Sequence, residues 1–174
     1  MMAETVDFTS LDLQDALDLA ILVEEEAQER YLEFVAQMEQ HHTPEAAEFF
    51  RAMAANEEKH GAELRARRRA LFADAPRRVT RAMLWDVEAP DYDETRAFMS
   101  ARQAMAVALR AETKAQEFFV KALPHITDDD VRLLFEELRD EEVVHQTLVR
   151  EALRNLPPEP EVDPEDYEDE PVGH

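Results

Sequence analysis

Two copies of one motif stand out in this chain, Glu57-Glu58-Lys59-His60 and Glu142-Val143-Val144-His145, and each is preceded by a segment with a glutamate among apolar residues, Glu24 and Glu112. Residues three apart share a face of an α-helix, so both side chains of a Glu-x-x-His pair can reach one cation. Four helices that project Glu, Glu-x-x-His, Glu and Glu-x-x-His into a shared core supply four carboxylates and two imidazoles, the donor set of di-iron and di-manganese carboxylate proteins. Carboxylate and imidazole donors without thiolate suit iron or manganese, and zinc accepts the same set. The expected metal ligands are therefore Glu24, Glu57, His60, Glu112, Glu142 and His145.

A single Glu-x-x-His in a glutamate-rich helical chain is mostly coincidence. An internal repeat gives this pair its weight. Glu24-x-x-Ala27-Gln28-Glu29-x-Tyr31 aligns with Glu112-x-x-Ala115-Gln116-Glu117-x-Phe119 at an offset of 88, and the two Glu-x-x-His motifs align at an offset of 85. The alignment also selects Glu24 over Glu25, Glu26 and Glu29, and Glu142 over Glu141. Two readings remain beside a metal site: buried Glu and His hydrogen-bonded to one another, or an ancestral site that no longer binds. Tyr31, seven residues after Glu24 on the same face, can hydrogen-bond a ligand carboxylate across the bundle or simply pack. Phe119, its counterpart, lacks the hydroxyl. His41, His42, His125 and His174 fall at loops or the terminus and read as exposed.

The elements that must position these groups are helices. The chain of 174 residues has two glycines, and its prolines cluster outside the periodic segments, so the fold class is all-α. Leu13, Leu17, Ala20, Ile21, Tyr31, Phe34, Val35 and Met38 mark a first helix from about Ser10 to Gln40, with Thr9 or Ser10 as cap. Thr43-Pro44 starts a second, marked by Phe49, Phe50, Met53, Leu64 and Leu71 and ending near Phe72. Residues 74–99 carry Pro76, Pro90 and several aspartates and read as a crossover in which Met83, Leu84 and Trp85 need cover. Ser100 with Gln103 forms a capping box for a third helix to about Leu123. Thr127 or Asp128 caps a fourth, with Leu134, Leu138, Leu148 and Val149 along one face and an end near Asn155. The domain is expected over residues 10–155, with a short extension over 1–9 and an acidic, proline-rich, disordered tail over 156–174.

A formal charge of −22 argues against nucleic-acid or anionic-membrane surfaces and fits attraction of cations. Arg65 to Arg69 and Arg77-Arg78 are local exceptions and read as a solvated helix face. The chain has no cysteine, which removes disulfides, thiolate zinc sites, iron–sulfur clusters and thiol nucleophiles together. Without a signal-like start or a bilayer-length apolar run, the expected location is the cytoplasm.

Between about residues 10 and 155 the chain resembles the ferritin-like superfamily, and most closely its rubrerythrin group, whose helices carry Glu-x-x-Ala-x-x-x-Tyr, Glu-x-x-His, Glu and Glu-x-x-His. The resemblance implies a four-helix bundle of two pseudo-symmetric hairpins joined by a long crossover. It implies Glu57 and Glu142 as bridging carboxylates, Glu24 and Glu112 as terminal ones, and His60 and His145 as imidazole ligands of two iron ions. The implied activity is oxidation of the Fe(II) pair by hydrogen peroxide or dioxygen, in a peroxide-scavenging or ferroxidase role. A homodimer is also implied. Two departures stand in this sequence: Ala115 occupies the position where rubrerythrins carry a further glutamate, and no cysteine-rich rubredoxin domain is present. Turnover then needs a separate electron donor, such as a rubredoxin-like protein. A non-enzymatic helical interaction module is the contrasting expectation.

Overall fold

The structure, a computed structural model, describes residues 6–84 and 100–158. Four long helices make the bundle: α1 (Leu13–Gln40), α2 (Pro44–Phe72), α3 (Ala101–Ala122) and α4 (Asp129–Asn155). Short turns join α1 to α2 and α3 to α4, so each pair packs as an antiparallel hairpin. The described residues contain no strand.

Helix boundaries follow local chemistry. The Ser100 side chain accepts from the Gln103 amide at 3.1 Å and the Gln103 side chain accepts from the Ser100 amide at 3.0 Å, which completes the capping box of α3. Asp128 caps α4 by accepting from the Val131 amide at 3.0 Å. Pro44 opens α2 at a position whose N–H would have no helical partner. The start of α1 differs from the expectation of Thr9 or Ser10. Both of those residues are committed to a turn on Asp7, Thr9 donating to its carboxylate and Ser10 to its carbonyl, and Asp12 caps the helix instead by accepting from the Asp15 amide at 2.9 Å.

The core is layered along the bundle axis. One apolar cluster holds Leu17, Ile21, Leu64, Phe118, Phe119, Phe135 and Leu138, and the other holds Tyr31, Phe34, Met38, Phe50, Met53, Met105 and Val149. Between them on each helix lie the buried polar positions Glu24, Glu57, His60, Glu112, Glu142 and His145. Two residues expected on apolar stripes turn outward: Leu71 is 44% exposed and Leu148 is 36% exposed.

Part of the crossover is fixed against α1. Arg81 makes two 2.7 Å bonds to Glu29, Gln14 donates to the Pro76 carbonyl at 2.9 Å, and Val79 and Leu84 are buried. Trp85, Pro90 and the remainder of the expected crossover, residues 1–5 and the tail beyond residue 158 lie outside the described residues.

The arginine stretch is more than a solvated face. Arg68 is buried and donates to both oxygens of Asp18, at 2.9 and 3.3 Å, as well as to the carbonyls of Ala73 and Ala75. Asp18 is itself fully buried. Removing one partner leaves an uncompensated charge, so Asp18→Ala is expected to cost about 3 kcal/mol in urea unfolding. An Asp18→Ala variant as stable as the parent protein contradicts this role.

Candidate metal centre

Each helix contributes to one central layer: Glu24 from α1, Glu57 and His60 from α2, Glu112 from α3, Glu142 and His145 from α4. All six are buried, with relative exposures of 1–6%. The sequence places them there because each lies on the inward stripe of its helix, and three-residue spacing keeps Glu57 with His60 and Glu142 with His145.

The donor atoms converge in two groups. His60 Nδ1 lies 3.7 Å from Glu24 and 3.8 Å from Glu57. His145 Nδ1 lies 3.1 Å from Glu57, 3.4 Å from Glu112 and 3.7 Å from Glu142. Within each of the triads Glu24–Glu57–His60 and Glu57–Glu112–His145, one donor atom per residue lies within 4.8 Å of the others. Glu57 belongs to both. Its two oxygens face different imidazoles, Oε1 toward His145 and Oε2 toward His60, which is the disposition of a carboxylate able to bridge two cations. The rings of His60 and His145 lie nearly parallel with centroids 5.5 Å apart.

These atoms fit a cation better than they fit one another. Both Glu57 oxygens, His60 Nδ1 and His145 Nδ1 are buried at ion-pair distance from one another, yet none of them forms a hydrogen bond. Buried polar atoms in folded proteins are almost always satisfied. Four such atoms converging among oxygen and nitrogen donors are what a metal pair would satisfy together.

The electrostatics agree. Burial pushes the Glu57 carboxyl up, but its contacts with Glu24, His145 and His60 outweigh this and hold it below the usual carboxylate range. Burial alone would lower His145, yet the Glu112 and Glu57 carboxylates raise it to about 10. In the protein without metal, an imidazolium thus stands in for positive charge at the layer's centre.

Tyr31 donates its hydroxyl to Glu112 Oε1. Burial, then the neighbouring Glu112 and Glu57 charges, push the phenol well above its ordinary value, so it stays a donor. Phe119 instead packs edge-on against Phe118 and Phe135, so the two halves of the layer differ. His41, His42 and His125 are exposed, and His174 lies outside the described residues. Glu141, set aside in the sequence by the repeat alignment, reaches the layer from its edge: its Oε2 lies 3.9 Å from His60 Nε2. Its one signal in the sequence is the neighbouring ligand position, since adjacent residues on a helix point about 100° apart.

The rubrerythrin family model matches residues 15–168. The chain belongs to the rubrerythrin family. A solved structure of an uncharacterized conserved protein from Magnetospirillum magnetotacticum MS-1 is 28% identical with a TM-score of 0.73, and the match covers 88% of this chain and all of that one. No curated protein matches. Members of the family typically bind iron, and the buried Glu/His layer can hold metal. None of the described helices is long and apolar enough to cross a membrane.

Three outcomes are expected. A metal on His145 Nδ1 must displace the proton held there up to about pH 10, so apparent affinity should rise as pH rises toward that value, with proton release on binding. The raised His145 value also stabilises the metal-free fold fully below its unfolded value, and that contribution is lost as pH rises through about 10. Calorimetry in buffers of different ionisation enthalpy checks the release, and zero protons released contradicts it. Tyr31→Phe removes the donor to Glu112 and is expected to weaken metal binding about tenfold in chelator competition, whereas an unchanged affinity assigns Tyr31 to packing.

Proposed function

We propose that this rubrerythrin-family protein is a non-haem di-iron oxidoreductase that oxidises an Fe(II) pair held by Glu24, Glu57, His60, Glu112, Glu142 and His145 with hydrogen peroxide or dioxygen. The observation that carries the reading is the sharing of Glu57 between two triads, each with its own imidazole. Iron held by these residues would supply two one-electron donors, enough to reduce one hydrogen peroxide, with two protons, to two waters as two Fe(II) become two Fe(III).

The chain's own groups suit that task. Glu57 supports charge at both positions and Glu24 and Glu112 each serve one, while Glu142, the second carboxylate expected to bridge, stands 3.7 Å from His145 Nδ1 and outside both triads. The carboxylate-rich donor set favours the higher oxidation state by charge. Tyr31 fixes the orientation of Glu112, and the apolar layers on either side limit water around the donors. Return to Fe(II) requires a separate electron donor, and a rubredoxin-like protein is the class proposed, since the chain has no cysteine with which to hold an iron–sulfur centre.

Iron handling is the second reading, in which the same site acts as a ferroxidase and passes Fe(III) on. The charge of −22, which attracts cations, favours it. Retained against released Fe(III) after oxidation separates the two.

The test begins by equilibrating the protein with Fe(II) without oxygen, removing loose metal and measuring iron per chain beside a Glu57→Ala, Glu142→Ala double variant. About two irons per chain are expected, with loss in the variant, as four carboxylates and two imidazoles make two sites. Loaded protein is then mixed with peroxide or with dioxygen to name the oxidant. No tightly held iron in either protein overturns the reading.

A further inference from the structure

The six buried donors leave open how a hydrated cation reaches them, and the edge of the layer on α2 and α4 answers. Glu141 is half exposed, while its neighbours His60 and His145 are buried at 6% and 1%. These three form a further group whose donor atoms lie within 4.8 Å of one another. His60 connects the two sides of the layer through one ring: Nδ1 faces Glu24 and Glu57, and Nε2 faces Glu141 at 3.9 Å.

A cleft of about 530 Å³ lies between α2 and α4 on this side, lined by Glu63, Ala66, Arg67, Ala70, Leu134 and Glu137. Glu137 stands one helical turn before Glu141, and Glu63 three residues after His60, so carboxylates line the cleft toward the buried layer. The alanines on α2 leave the space open. Arg67, one turn beyond Glu63, is the lone cation among the cleft's lining residues.

We propose that Glu141, with the outward nitrogen of His60 and with His145, forms an entry site where a divalent cation is first held before it passes to the buried pair. This rests on the di-metal reading of the inner layer. The acidic residues alone would be a solvated rim. Two buried imidazoles whose donor atoms lie within 4.8 Å of the Glu141 carboxylate, with His60 Nε2 facing it at 3.9 Å, make the rim a site. At this edge the cation exchanges water for a Glu141 oxygen, an exchange suited to a side chain that is half exposed to solvent and stands 3.9 Å from the imidazole. Glu63 and Glu137 raise the local concentration of cations ahead of it.

An entry site speeds passage in both directions and leaves the equilibrium alone, and this separates it from a resident ligand. The experiment is stopped-flow binding of cobalt(II), read by its d–d absorbance, and release to excess chelator, in the full chain, Glu141→Gln and Glu137→Gln. Glu141→Gln is expected to slow uptake and release together by about tenfold, with two cobalt ions still bound and Kd within about twofold of the parent protein. Glu137→Gln should slow uptake less, and salt should reduce its effect. Unchanged rates in Glu141→Gln overturn the entry site while the di-metal reading stands. A weakened Kd with unchanged uptake also overturns it, making Glu141 a ligand or a support for His60. No cobalt bound by the parent protein removes the inner site and the entry site together.

Discussion

Four carboxylates buried in one layer of a helical bundle repel one another and lose the solvation that water would give them, so they require positive charge in their midst. A carboxylate taken out of water costs several kcal/mol even after relaxation, far more than a hydrogen bond returns. His145 meets part of that demand as an imidazolium, its proton retained because Glu112 and Glu57 press against it. The Glu57 oxygens and the imidazole Nδ1 atoms stand at ion-pair distance without a formed hydrogen bond, so protein groups alone leave the demand incomplete. A pair of divalent cations would answer it, and such binding would stabilise the fold by mass action.

The rest of the molecule follows from building that layer. Two hairpins with the same pattern of ligands face each other, and their apolar residues separate into a cluster on either side. The helices have to be long enough to carry both clusters and the layer between them. Away from the layer, the Asp18–Arg68 pair ties α1 to α2 and to the chain leaving α2, and Arg81 with Glu29 fastens the next segment along α1. The repeat is not perfect. Tyr31 and Phe119 occupy corresponding positions, yet only one reaches a ligand carboxylate, so the symmetry of the backbone supports an unsymmetrical centre.

Much of this is written in the sequence, because helical periodicity and capping act locally. The Ser100–Gln103 box, Pro44 and Asp128 mark helix starts by chemistry that needs no tertiary partner. The six layer residues are readable because an internal repeat chooses the register among adjacent glutamates. What escaped depends on partners distant in the chain or on competition between neighbours. Asp7 draws Thr9 and Ser10 into a turn, which passes the cap of α1 to Asp12. Arg68 is indistinguishable from Arg67 and Arg69 until α1 brings Asp18 to it, 50 residues away. Glu141 gains meaning only when α2 sets His60 beside it. Leu71 and Leu148 fit an apolar stripe by spacing, but they fall at its margin, where the bundle's width decides exposure.

The most direct test of the central claim is anomalous diffraction at the iron edge from crystals of the full chain loaded with Fe(II) without oxygen. Two peaks are expected within the buried layer, one between Glu24, Glu57 and His60, the other beside Glu112, Glu142 and His145, with Glu57 touching both. No peak in that layer, or iron bound only at the acidic surface, would contradict the account.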